Sequence, residues 1–121
     1  MSLLKIGTRR LMPRGVRRSL MCRTTRTLRE LLQKHHKKDT NSLIIADSVF
    51  SMDGDKASLG ELSVLSHRYG ARLIVDEAHA IGVFGKHGGG LCSQEAVKPD
   101  IITGTLSKAL GGYGGFAVCC N

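Results

Sequence analysis

Three short segments of this sequence concentrate side chains that could do chemistry. The first runs Val49-Phe50-Ser51-Met52-Asp53-Gly54-Asp55 and the second Val75-Asp76-Glu77-Ala78-His79. The third runs Thr103-Gly104-Thr105-Leu106-Ser107-Lys108-Ala109-Leu110-Gly111-Gly112. Between them they offer an amine at Lys108, a carboxylate at Asp76, an imidazole at His79 and hydroxyls at Ser51 and Thr105. Taken singly, each has a bland explanation. A lysine is usually a solvated surface charge, an aspartate after a strand often caps a loop, and histidine, serine and threonine commonly satisfy turns. The joint pattern is what points to a site.

The five groups match what a pyridoxal phosphate (PLP) site needs. A lysine forms a Schiff base with the cofactor aldehyde and later moves a proton. A carboxylate keeps the pyridine nitrogen protonated, because the cationic ring is the electron sink for a carbanion. A donor meets the phenolic oxygen, and hydroxyls with backbone N–H groups take the phosphate. Lys108, Asp76, His79, Thr105 and Ser51 supply groups of these kinds.

The elements that must position them read as α/β. Leu43-Ile44-Ile45-Ala46, Leu73-Ile74-Val75, Ile101-Ile102 and Phe116-Ala117-Val118 are short apolar runs without alternation. Such runs suggest strands buried on both faces of a mostly parallel sheet. Residues 25–38 read as a helix from the spacing of Leu28, Leu31, Leu32 and His35, with Lys37 and Lys38 at its end. Leu59 to Tyr69 reads as a second, stopped by Gly70. In open parallel sheets ligands sit beyond the carboxyl ends of the strands, which is where the three polar segments fall.

The net charge of +8 over 121 residues is unevenly placed. Nine basic residues and no acidic one lie between Met1 and Arg29. The basic balance therefore describes the N-terminal segment, whereas residues 39–121 are mildly acidic. Residues 1–24 are expected to form a poorly packed basic segment: a mitochondrial or plastid transit peptide, a polyanion-binding arm, or non-native sequence. Pro13 and Gly15 break any helix there. No apolar run reaches membrane-spanning length. Cys22, Cys92, Cys119 and Cys120 show no CxxC pair or metal-ligand spacing, so free thiols in an intracellular protein, cytoplasmic or mitochondrial, and no metal site are expected.

Four motifs make the sequence similar to a known family: FSMDGD at 50–55, VDEAHAIGVFG at 75–85, G-x-x-G-x-G at 85–90 and TGTLSKALGG at 103–112. The chain resembles the α-oxoamine synthases, PLP-dependent enzymes of the aminotransferase-like (type I) fold. The resemblance covers about residues 43–121 and extends weakly through the helix at 25–36. It implies that Lys108 is the Schiff-base lysine, Asp76 the pyridine-nitrogen partner and His79 the histidine at the phenolic oxygen. It also implies that Thr105 is a phosphate-side threonine and Ser51 a cofactor-contacting serine. The activity it implies joins an amino acid to an acyl-CoA thioester in a homodimer, with no nucleic acid and no membrane involved. Within the family the motifs look closest to 8-amino-7-oxononanoate synthase of biotin biosynthesis, with 2-amino-3-ketobutyrate CoA ligase close behind.

The sequence departs from the family in places. Ser58 stands where the family usually has proline. The histidine that stacks on the cofactor ring lies upstream of FSMDGD in the family, and residues 1–24 contain no histidine. The expected organisation is a basic segment over 1–24 and part of the PLP-binding large domain over 25–121, with the C-terminal domain absent. Two rival readings remain. One is an inactive fragment that retains the lysine segment. The other is a nucleic-acid helicase piece, since Asp76-Glu77-Ala78-His79 spells a DEAH box, but no GxxxxGK[ST] phosphate loop accompanies it.

Overall fold

The computed structural model describes residues 2–6, 18–22, 24–35 and 42–119. Their strands are β1 (Ser2–Ile6), β2 (Arg18–Cys22), β3 (Ser42–Asp47), β4 (Arg72–Asp76), β5 (Ile101–Thr105) and β6 (Gly115–Cys119). They form one sheet in the order β2-β1-β3-β4-β5-β6. All neighbouring pairs are parallel except β5 with β6, which is antiparallel. The fold class is the expected one, an α/β arrangement on a mostly parallel sheet.

The helices close where local chemistry stops them. In α1 (Thr25–His35), Leu28 and Leu32 sit one turn apart and are both buried, while Arg26, Arg29, Gln33 and Lys34 face outward. Thr24 caps it: its hydroxyl oxygen accepts from the Thr27 N–H at 3.2 Å. The expected helix ran to residue 38, and residues 36–38 lie outside the described ones. In α2 (Leu59–Arg68), Leu59, Leu62 and Leu65 are buried. It ends on Gly70, whose φ of 56° is left-handed. The Ala71 N–H then reaches Ser66 O at 2.8 Å and the Gly70 N–H reaches His67 O at 3.2 Å, which satisfies the last carbonyls of the helix. A short α3 (Leu91–Gln94) precedes β5.

The core lies on one face of the sheet. Ile44, Ala46, Leu73 and Val75 are buried there with Leu28 and Leu32 of α1, the α2 leucines and Leu91 of α3. Leu43, Ile45 and Ile74 point to the other face and are only half-buried. The expectation that the strands are buried on both faces is thus corrected among the described residues. Their apolar sequence fits two covered faces, but α1 and α2 pack on one.

Within the basic segment expected over residues 1–24, residues 2–6 and 18–22 are strands, and β1 pairs on both edges, with β2 and with β3; residues 1, 7–17 and 23 lie outside the described ones. The charge excess drew attention away from two short runs with apolar content, Ser2-Leu3-Leu4-Lys5-Ile6 and Arg18-Ser19-Leu20-Met21-Cys22, each long enough for a strand.

Candidate active site

Because β3, β4 and β5 run parallel, their carboxyl ends lie at one edge of the sheet. The register sets Asp47 beside Asp76, and Asp76 beside Thr103. Side chains of laterally paired residues share a face, and successive residues alternate. Asp76, Thr103 and Thr105 therefore share the half-covered face, opposite the helices. Ile102, beside Val75, packs toward the core.

Two of the expected residues meet directly. The Lys108 amine lies 2.9 Å from Nε2 and 3.4 Å from Nδ1 of His79. His79 stands three residues beyond the end of β4, in the turn that the Ala80 and Ile81 N–H groups close on Glu77 O. Lys108 stands in the loop between β5 and β6, which folds back through Leu106 N–H to Gly114 O, Gly111 N–H to Lys108 O and Gly112 N–H to Leu106 O. An amine against an imidazole gives a nucleophile beside a group that can accept or return its proton.

Asp76 is half-buried. Its Oδ1 accepts from the Ala78 N–H at 2.8 Å, and no hydrogen bond occupies Oδ2 among the described residues. Thr105 Oγ1 donates to Gly114 O at 3.1 Å, accepts from the Ser107 N–H at 3.2 Å and lies 2.8 Å from Ser107 Oγ. Its hydroxyl thus also fastens both ends of the Lys108 loop. Ser51 is apart from this group. It is exposed in the turn after β3, where Gly54 N–H reaches Phe50 O and Phe50 N–H reaches Asp55 O, and no hydrogen bond links it to the other four.

Sequence reasoning missed three supporting residues. Glu77 is 1% exposed, and its carboxylate receives three donors. Ser48 Oγ–H reaches Oε2 at 3.0 Å, Leu91 N–H reaches Oε2 at 2.9 Å and Cys92 N–H reaches Oε1 at 2.6 Å. Strand alternation was the available signal: if Asp76 faces a ligand, the next side chain points back into the protein. Ser48 and Ser107 are the other two, each within hydrogen-bond reach of a residue already singled out. Lys56, next to the turn that carries Ser51, lies 4.5 Å above the Phe84 ring in a cation–π contact and forms no ion pair with Asp53 or Asp55 among the described residues.

The model of the aminotransferase class I and II family matches residues 21–121. The chain belongs to this family. Among curated relatives of the family, an 8-amino-7-oxononanoate synthase from Geotalea daltonii is 47% identical over 92 residues, covering 74% of this chain and 23% of the relative. A serine palmitoyltransferase from Bacteroides ovatus is 50% identical over 91 residues, again 74% of this chain and 23% of the relative. Both names belong to the α-oxoamine synthases, the group the motifs resemble. The chain spans about a quarter of the length of the curated relatives it matches. Among solved structures, a serine palmitoyltransferase from S. paucimobilis with bound PLP-myriocin aldimine superposes with a TM-score of 0.85 at 26% identity, over 99% of this chain and 33% of that one. A serine palmitoyltransferase from Sphingomonas wittichii gives 0.81 at 27% identity, over 98% and 32%.

Proposed function

We propose that this chain carries the lysine-bearing part of a PLP site in an α-oxoamine synthase. The observation that carries the reading is the Lys108–His79 contact, made at the carboxyl ends of adjacent parallel strands beside Asp76. The donor set fits the cofactor. Asp76 keeps an oxygen without a hydrogen-bond partner among the described residues, and Lys108 holds an exposed amine. PLP, when bound, supplies an electron sink for charge left on a substrate carbon.

The residues divide the remaining work. Lys108 would hold the cofactor covalently through Nζ and would also be the group that moves a proton. His79 would orient that amine through their contact, and it would meet the phenolic oxygen. Asp76 would hold the proton on the ring nitrogen. Thr105 and Ser107, which close the Lys108 loop, would offer hydroxyls to the phosphate. Ser51 would reach the cofactor from the turn after β3.

For the whole protein we propose the family's reaction, acyl transfer from a CoA thioester to an amino acid, in a homodimer. Residues 25–121 then belong to the PLP-binding large domain, with β1 and β2 extending its sheet. The 8-amino-7-oxononanoate synthase-like reading, with its place in biotin biosynthesis, rests on the motifs at 50–55 and 103–112. Relatives named for serine palmitoyl transfer match about as well. A chain extended to the relatives' length, assayed with alanine and pimeloyl thioester, glycine and acetyl-CoA, or serine and palmitoyl-CoA, separates these substrates.

The test on the chain itself is borohydride reduction in the presence of PLP, followed by peptide mass mapping. Label concentrated on Lys108 is expected. Label spread evenly over Lys34, Lys56 and Lys86 with no preference for Lys108 would overturn the reading.

A further inference from the structure

Glu77 is a buried carboxylate that the proposed chemistry does not use. Burying a charge is costly unless hydrogen bonds replace its water, and here three donors do so. The donors come from different places. Ser48 follows β3, and its N–H also donates to the Asp76 carbonyl at 2.9 Å, while its hydroxyl proton serves Glu77. Leu91 and Cys92 open α3, at the far end of the glycine-rich loop 82–90. One side chain therefore ties the ends of β3 and β4 to the end of that loop.

The loop in turn touches the lysine segment. It is closed on itself by Gly82 N–H to Gly88 O at 2.9 Å and Gly90 N–H to Phe84 O at 2.8 Å. At one end, a Cβ on Gly90 would lie 2.8 Å from Glu77 Oε2, and its φ of 90° is left-handed, so the carboxylate and the loop backbone leave no room for a side chain. At the other end, a Cβ on Gly82 would lie 3.0 Å from Ala109 Cβ and 3.3 Å from Leu110 Cδ2. The path from Glu77 to the residues beside Lys108 is continuous packing. A second path is shorter, since Glu77 O accepts from Ala80 and Ile81 in the turn that carries His79.

We infer that Glu77 is a positioning residue: its carboxylate clasps the glycine-rich loop and so holds the Lys108 loop against the His79 turn. The inference rests on the PLP-site reading for its functional meaning, but the clasp can be measured without cofactor.

The experiment uses the 121-residue chain and three variants. Glu77→Gln keeps the shape but turns an NH2 toward one of the two backbone donors. Ser48→Ala removes only the hydroxyl and keeps the clasp testable if Glu77→Gln does not fold. Leu62→Ala weakens the core away from the site and serves as the stability control. Amide hydrogen exchange is read at Leu91 and Cys92, at Gly82, and at Gly111 and Gly112, each relative to Ile74 and Val75 of β4. In Glu77→Gln all three groups should exchange faster relative to β4, by about tenfold or more. Ser48→Ala should shift them in the same direction by roughly threefold. In Leu62→Ala they should move in step with β4. If Gly111 and Gly112 keep their ratio to β4 in both Glu77→Gln and Ser48→Ala, the clasp does not reach the Lys108 loop and the inference is overturned.

Borohydride trapping with PLP gives the link to function. The wild-type chain should favour Lys108 over Lys56 and Lys86, and Glu77→Gln should lower that preference about tenfold. A Glu77→Gln chain that folds and keeps the full preference overturns the inference while the PLP reading stands. A wild-type chain with no preference removes the PLP reading, and amide exchange then decides the clasp by itself.

Discussion

The Lys108 amine rests 2.9 Å from His79 Nε2, although the two residues follow different strands and are far apart in sequence. The contact spans the gap between the β4 turn and the β5–β6 loop. His79→Phe keeps a ring of similar bulk but removes the acceptor, so the amine loses its partner. Trapping of PLP on Lys108 should then slow by roughly tenfold or more. Single-time-point mass mapping of Lys108 against Lys56 in the two chains checks this, and equal rates would separate His79 from the lysine's chemistry.

Asp76→Asn should leave the fold intact, because an amide oxygen can still accept from Ala78 N–H in place of Oδ1. A neutral amide cannot hold the ring nitrogen protonated, so in a chain extended to the relatives' length kcat should fall by at least ~100-fold while PLP is still trapped on Lys108. Normal turnover in that variant would remove Asp76 from its role.

Thr105→Val keeps the side-chain shape and deletes the hydroxyl that joins Gly114 O, Ser107 N–H and Ser107 Oγ. A loss of about 1 kcal/mol is expected, with faster amide exchange at Leu106 and Gly112. Thr105→Ser should restore both. Urea unfolding and exchange measured on the three chains would reveal whether the hydroxyl closes the loop.

On α2, Leu62 is fully buried and Val64 is 66% exposed. Leu62→Ala should cost about 2–5 kcal/mol, whereas Val64→Ala should stay within about 0.5 kcal/mol. Similar midpoints for both variants in urea would contradict the packing described for this helix.

Much of this was legible in the sequence because it depended on local signals. The apolar runs at 43–46, 73–75, 101–102 and 116–118 all lie inside observed strands, and Gly70 ends α2 as its conformational freedom suggests. Lys108 and His79 stood out in the sequence from their motifs, and the structure brings the two together. What sequence could not supply was non-local. The N-terminal strands pair with each other and with β3, partners that no local signal in their strongly basic segment records. Among the described residues the helices cover one face of the sheet more fully than the other, which reflects where they pack, and the apolar strands themselves carry no record of it. Glu77 escaped because its donors, Ser48, Leu91 and Cys92, come from both sides of it in the chain and converge only in the fold. Asp100 is another such case: its carboxylate accepts from Leu73 N–H at 2.7 Å and its own N–H returns to Leu73 O at 2.9 Å, fixing where β5 starts beside β4.

The placement of β1 between β2 and β3 has a kinetic consequence. β3, α2 and β4 are consecutive in the chain and form one crossover unit, so they can assemble with little loop-closure cost. β1 differs on one side, because its pairing of Ser2 with Ser42 has to enclose β2 and α1. During synthesis from the N-terminus its edge toward β3 therefore stays unpaired until β3 has followed, even where β2 has joined the other edge. The unit that can form first already contains Ser48, Asp76 and Glu77. The N-terminal strands join the sheet through β3, so their docking depends on that unit, as does the later addition of β5 and β6 on its other side.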